Sequence, residues 1–199
     1  DAQDLKKLQE KLAKSQSLIE QLAPKFKQRL AEAETAIKLN LSGSVLKVRS
    51  GNLRRSVAFQ LSESLEGRVG IIKEGPAQKY AGIQLRGGTI RPRNAKMLAI
   101  PLQAALTAAG VARFGSPLRN SLQGRYPETF VARSRAGNLI LFGKLRKTPR
   151  GGSNIVPLFV LKSSVTIPAH DYMSGPKAAL LAGIQADLKT FAALGVYGT

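Results

Sequence analysis

The chain has 199 residues, with 31 basic against 12 acidic side chains for a net charge of +19, a single histidine and no cysteine. That length allows one well-buried core with chain to spare for an extension or a large insertion. The lack of cysteine excludes a disulfide frame, a thiolate metal site and a thiol nucleophile, and it fits a reducing cytoplasm.

A charge of this size draws any polyanion loosely and in a salt-dependent way, so its distribution says more than its sum. Residues 1–45 hold 8 basic and 6 acidic side chains, residues 46–167 hold 21 and 4, and residues 168–199 hold 2 and 2. Between Gly75 and Ile167 the sole carboxylate is Glu128. The basic side chains of that stretch therefore face solvent, a polyanion or acidic groups on another protein. The longest mildly apolar region, Met97 to Ala112, is broken by Pro101 and Gln103 and falls short of the about 20 residues a bilayer requires. The opening DAQDLKKLQE is charged and lacks the apolar run of a secretory signal. These features predict a soluble protein with no membrane partner, made and used without export.

In chain order, Leu5, Leu8, Leu12, Ile19, Leu22, Phe26, Leu30, Ala33 and Ile37 repeat at intervals of mostly three and four, which predicts a long amphipathic helix. Pro24 lies inside it and predicts a kink or a break there. A helix of roughly 35 residues extends about 50 Å, more than one small sheet covers. Leu5, Leu8, Leu12, Ile19 and Leu22 are therefore candidates for a lateral contact with a neighbouring subunit. On that reading, deleting residues 1–40 weakens assembly and leaves a folded domain.

Val57, Phe59 and Leu61 alternate with smaller or polar residues, and Val69 to Ile72 follow a turn at Glu66-Gly67, so this region predicts a β-hairpin. AQKYAGIQL reads as a short helical or irregular piece, Leu98 to Ile100 as a strand, and LQAALTAAG after Pro101 as one short helix. Val111 to Gln123 has no clear period. Phe130-Val131 and Leu139 to Phe142 flank Gly137-Asn138, a second hairpin. KTPRGGSN is polar, glycine-rich and basic, the composition of an exposed loop, and IVPLFVLKSSVTIP is the most strand-prone segment. The last element is a helix with Ser174 as its cap, Pro176 in its first turn, and Leu180, Leu181, Ile184, Leu188 and Phe191 on one face. The predicted fold is α+β: a long N-terminal helix, a mainly antiparallel β-sheet core and a C-terminal helix packed on the sheet. The predicted division is a helical segment over 1–45 and an α+β domain over 46–199, with a long loop-rich insertion around 103–154.

The stretch LRGGTIRPRNAKMLAIP pairs glycines with basic residues, but no Gly-Lys-Ser/Thr or second spaced glycine follows, as a nucleotide loop needs. His170 and Asp171 are sequence neighbours, and on an extended segment neighbours point to opposite sides, so Asp171 is a poor orienter for a catalytic His170. One histidine and scattered carboxylates do not make a metal site. No catalytic residue, metal or cofactor is expected. Aromatic residues are not interleaved with the arginines as in a single-strand binder, and no helix concentrates the basic residues as a major-groove reader does. Nonspecific contact with DNA stays open.

Three segments in this order resemble the tail-terminator and tail-completion proteins of long-tailed bacteriophages, the lambdoid-type neck and minor tail family. They are SGNLRRS at Ser50 to Ser56, YAGIQLRGGTIRPRNAKMLAIP at Tyr80 to Pro101, and PLFVLKSSVTIPAHDYM at Pro157 to Met173. This chain departs from the family pattern at Gln84, Leu85 and Arg86, and at His170-Asp171. The resemblance implies an α+β protomer that assembles as a homo-oligomeric ring, commonly of six, at the joint between capsid and tail. It also implies a virion protein that docks other neck and tail tube proteins while DNA passes through the ring. In that setting Arg86, Arg91, Arg93, Lys96, Lys144, Arg146, Lys147 and Arg150 are the candidate contacts to a neighbour, a partner or DNA. The alternative is a basic protein whose function is nonspecific nucleic-acid binding.

Overall fold

Apolar positions three and four apart build the first element, α1 (Ala2–Leu39), whose turns are reinforced by Glu34 with Lys38 and by Arg29 with Glu32. The computed structural model describes residues 2–146 and 154–193. The fold is α+β, with a long N-terminal helix, antiparallel sheets and a C-terminal helix. Two compact units share the chain: a central unit of Gly87–Pro168, and a terminal unit formed by the chain on either side of it. These units are drawn differently from the expected division at residue 45. The long helix packs on the first hairpin and on the last helix, and the region around 103–154 supplies two of the four strands of the central sheet.

In the terminal unit α1 runs through Pro24 as one helix instead of breaking there. Proline removes one backbone donor, and here the helix continues past that loss. Leu22, Leu30, Ala33 and Ile37 are buried along its second half, each large aliphatic among them worth about 2 kcal/mol in area removed from water. Among the described side chains from Lys6 to Gln21, none is buried. Deleting residues 1–40 would therefore remove buried residues of this unit as well as any contact surface, while the core of the central unit contains none of them. A π-helical turn (Asn40–Ser44) ends the helix, with Gly43 at φ +131, a backbone that favours glycine.

α2 (Asn52–Arg55) leads into β1 (Val57–Leu61), which pairs antiparallel with β2 (Gly67–Ile71), and α3 (Gln78–Arg86) follows. The tip of this hairpin rests on α1, where a Cβ on Gly67 would lie 3.0 Å from Leu30. Ile37, Leu41, Val57 and Tyr172 make the buried center, bordered by Leu53, Val69, Ile71, Leu85 and Met173. The Tyr172 hydroxyl donates to the Ala81 carbonyl at 3.1 Å, and burial raises its pKa above the ordinary value.

The last helix, α5 (Ser174–Ala193), packs on α1, where Arg29 donates twice to Asp187, at 2.8 and 2.9 Å. The cap expected of Ser174 is supplied instead by Asp171, whose Oδ1 accepts from the amides of Met173 at 3.1 Å and Ser174 at 2.9 Å. Ser174 is already the first helical residue, so its own amide is one of the donors that need a partner. These bonds hold the Asp171 carboxyl below its ordinary pKa, with Ser174 the largest cause.

The central unit contains a two-stranded ribbon, β3 (Gly88–Ile90) with β8 (Val165–Ile167), and a four-stranded antiparallel sheet in the order β4 (Leu98–Pro101), β7 (Ile155–Lys162), β6 (Leu139–Lys144), β5 (Glu128–Arg133). The segment IVPLFVLKSSVTIP thus forms two strands in two sheets. Pro157 lies in an interior strand, where it gives no ladder donor, and the ladder shifts register beside it. Phe142 pairs with Pro157 and Leu141 with Phe159, leaving Leu158 as the extra, fully buried residue of a bulge. Pro101, in contrast, ends an outer strand.

LQAALTAAG does not form the expected helix. After one 3-10 turn (Gln103–Ala105) the chain reverses at Thr107 to Val111, with Gly110 at φ +73. α4 (Leu118–Gln123) then brings Leu122 and Tyr126 onto Ala105, Leu158 and Phe159, with Phe114 edge-on to the Tyr126 and Phe159 rings at 5.9 and 6.5 Å. Gly143 admits this packing. A Cβ there would stand 2.7 Å from both Tyr126 and Leu158.

Candidate functional site

Charge is what the central unit carries in excess. It has 13 Lys and Arg against one carboxylate, Glu128, a net of +12 in its 82 residues. Glu128 is taken by Lys144, whose Nζ donates to it at 3.0 Å. The other basic side chains of the unit have no carboxylate within it to meet.

Strand register decides where those cations gather. Leu98 pairs with Lys162, Leu161 with Leu139, and Leu139 with Arg133, so the start of β4, the end of β7, the start of β6 and the end of β5 form one end of the sheet. The loop from β3 to β4 brings Arg91, Arg93 and Lys96 there, and the turn from β5 to β6 brings Arg133 and Arg135. Lys162 Nζ donates to Asn138 Oδ1 at 2.6 Å, and Arg133 donates to the Gly137 carbonyl at 3.3 Å, which ties two of the cations to the turn. Gly137 at φ +75 closes that turn. All six basic side chains are exposed.

The residues expected as contacts therefore separate. Arg91, Arg93 and Lys96 share this end. Lys144 is the last residue of β6, at its other end, and is paired, and Arg146 follows it two residues on. Arg86 belongs to the terminal unit, where its guanidinium lies back over α3, 2.9 Å from the place a Cβ on Gly82 would take. Lys147 and Arg150 lie outside the described residues. Arg133, Arg135 and Lys162 were not among the expected contacts. The second hairpin placed two of them at a turn, but nothing in the sequence tells which other strand ends lie beside that turn.

Gly87-Gly88 also has a definite job. Gly87, at φ +70, follows the last residue of α3, and Gly88 opens β3. The order is helix then strand, so the glycines follow a helix C-terminus, the opposite of a phosphate loop.

Of the expected assembly stripe, Leu22 is buried in the terminal unit and Ile19 is exposed. The side chains of Leu5, Leu8 and Leu12 lie outside what is described. Ser50 to Ser56 is a folded corner. Gly51 adopts φ +71, Arg55 donates to the Ser50 carbonyl at 2.9 Å and to Asn52 Oδ1 at 2.6 Å, and the Ser56 carbonyl accepts from Ile72 and Lys73.

At His170 the backbone amide donates to the Gln84 carbonyl at 2.9 Å, while the neighbouring Asp171 carboxylate is engaged by the α5 amides. Among the described residues, no group of three or more His, Cys, Asp or Glu side chains converges, and no helix is long and apolar enough to cross a membrane. No family model, curated protein or solved structure matches the chain.

Proposed function

We propose that this chain is a non-enzymatic structural protein of a long-tailed bacteriophage virion, of the tail-terminator and tail-completion kind. It forms a ring with copies of itself, six by resemblance, at the head-tail joint. There it docks other neck and tail tube proteins, with DNA passing through the hole. The observation that carries the reading is the pairing of two family-like segments with each other. Tyr80 to Pro101 and Pro157 to Met173 meet in two antiparallel ladders, Gly88–Ile90 on Val165–Ile167 and Leu98–Pro101 on Phe159–Lys162. Segments so distant in sequence resemble the family in the residues that build their shared sheet edges.

The first half of α1 supports a lateral contact. No described side chain from Lys6 to Gln21 is buried, yet the apolar spacing continues there through Leu5, Leu8, Leu12 and Ile19. A head-to-tail contact that repeats and closes makes a ring. Electron microscopy of the purified full chain tests the reading, with closed rings around a central hole as the expected image. A monomer at every concentration in light scattering overturns it. Removing only residues 2–18 spares Leu22, Leu30, Ala33 and Ile37, so that variant is expected to stay folded and to lose the ring.

A second reading, nonspecific nucleic-acid binding as the function itself, is favoured by the net +12 of the central unit. Discrete particles of one size without nucleic acid favour the ring, and assembly only on added DNA favours the second reading.

A further inference from the structure

We infer that the end of the four-stranded sheet carrying Arg91, Arg93, Lys96, Arg133, Arg135 and Lys162 is a binding site for the phosphate backbone of duplex nucleic acid. The first three come from the loop before β4, the next two from the end of β5 and its turn, and Lys162 from the end of β7, so three separate chain segments bring cations to one end of the sheet, with Arg133 in line with Leu139 and Leu161 and Lys162 on the opposite face. All six are exposed, and the one carboxylate of the unit lies at the far end of β5, bound to Lys144.

The width of the surface favours a nucleic acid over an acidic protein. From β4 to β5 there are three strand spacings, about 14 Å. A duplex sets down one charge per about 1.7 Å of its axis, so it offers roughly eight phosphate charges over that distance. An acidic protein would have to crowd its carboxylates to the same density. Four of the six cations are arginines, whose planar guanidinium donates two parallel hydrogen bonds to a phosphate. The contacts are to backbone, so binding is independent of sequence.

The site does not need the ring. Rings that bind no DNA would sink this inference and leave the proposed function standing, and DNA-binding monomers would do the reverse.

The test is a titration of the full chain with short labelled duplexes of unrelated sequence at several salt concentrations. Six phosphate contacts give a slope of about −5 in log affinity against log salt, which is about a 10³-fold loss between about 50 and 200 mM. Arg91→Ala with Arg93→Ala and Lys96→Ala is expected to reduce that slope by about 3, as is Arg133→Ala with Arg135→Ala and Lys162→Ala. The control is Lys47→Ala with Arg68→Ala and Lys73→Ala, which removes the same charge from exposed positions of the terminal unit and is expected to leave the slope in place. Each triple is checked for folding by circular dichroism, and either central triple alone is sufficient for the test.

Equal losses in the control and the central triples would overturn the site in favour of diffuse charge. So would a wild-type chain that fails to bind at the lowest salt. Polyglutamate that binds as tightly as DNA and loses affinity in the same variants would overturn the nucleic-acid assignment and make this end a surface for an acidic protein.

Discussion

In the terminal unit, Arg29 closes on Asp187 and Glu32, and Lys38 on Glu34; in the central unit one carboxylate serves 13 cations. The terminal unit has 18 basic and 11 acidic side chains, a net of +7 in 117 residues, against +12 in 82 for the central one. The two also bury different things. One closes two long helices and a hairpin around Ile37 and Tyr172, and the other closes a sheet with a short helix and three aromatic rings. The difference teaches that both units close on apolar cores, while the terminal unit pairs part of its charge internally and the central unit has almost no carboxylates with which to do so.

The largest expected effect probes whether the two units are energetically separate. Ile37→Ala should cost the terminal unit about 2–5 kcal/mol, because the side chain is almost wholly buried. Hydrogen exchange should then quicken in β1, β2 and α5 and stay slow in β6 and β7. Equal loss in both sets would show that the two units fold as one.

Gly143→Ala is the matching change in the central unit. The added methyl would stand 2.7 Å from Tyr126 and Leu158, and overpacking of this kind costs about 1–3 kcal/mol. Protection should fall in β6 and β7, and an unchanged melting temperature would mean that the Tyr126 ring yields freely. Tyr172→Phe, back in the terminal unit, removes the hydrogen bond to Ala81 and should cost about 1 kcal/mol in urea unfolding, with the slope unchanged.

The smallest effect is on the acid side. The Arg29 guanidinium holds the Asp187 carboxyl below its ordinary pKa, and Asp171 is held low by Ser174 and Met173. Both groups favour the folded state fully above the unfolded value of about 3.9, and that stability is lost as pH falls through their lower folded values. Melting temperature should therefore drop from about pH 4 downward, and Asp187→Asn should make that drop shallower. An identical acid profile in the variant would remove Asp187 from the account.

Much of the terminal unit was legible in the sequence, because helix and hairpin periods are local. The spacing of Leu22, Leu30, Ala33 and Ile37 marks the buried face of α1, and the alternation of Val57, Phe59 and Leu61 marks β1. Where local signals compete with packing they mislead. The alanine-rich run after Pro101 turns back on itself, and Asp171 binds the amides that Ser174 was expected to cap; at Pro24 the helix does not break. The candidate site was half legible. Arg91, Arg93 and Lys96 stand out as a basic cluster in one loop, but their joining with Arg133, Arg135 and Lys162 depends on β4 pairing with β7 and β7 with β6.

The sequence by itself determined the class of fold, the uneven charge and the places where the chain must turn, since propensity, period and composition act over a few residues. Only the tertiary structure decided that a proline in an interior strand is absorbed by a bulge at Leu158, and that segments carrying six cations meet at one end of the sheet. Strand register is set by pairings between residues far apart in the chain, chosen by which side chains bury well together, and no local pattern carries that choice.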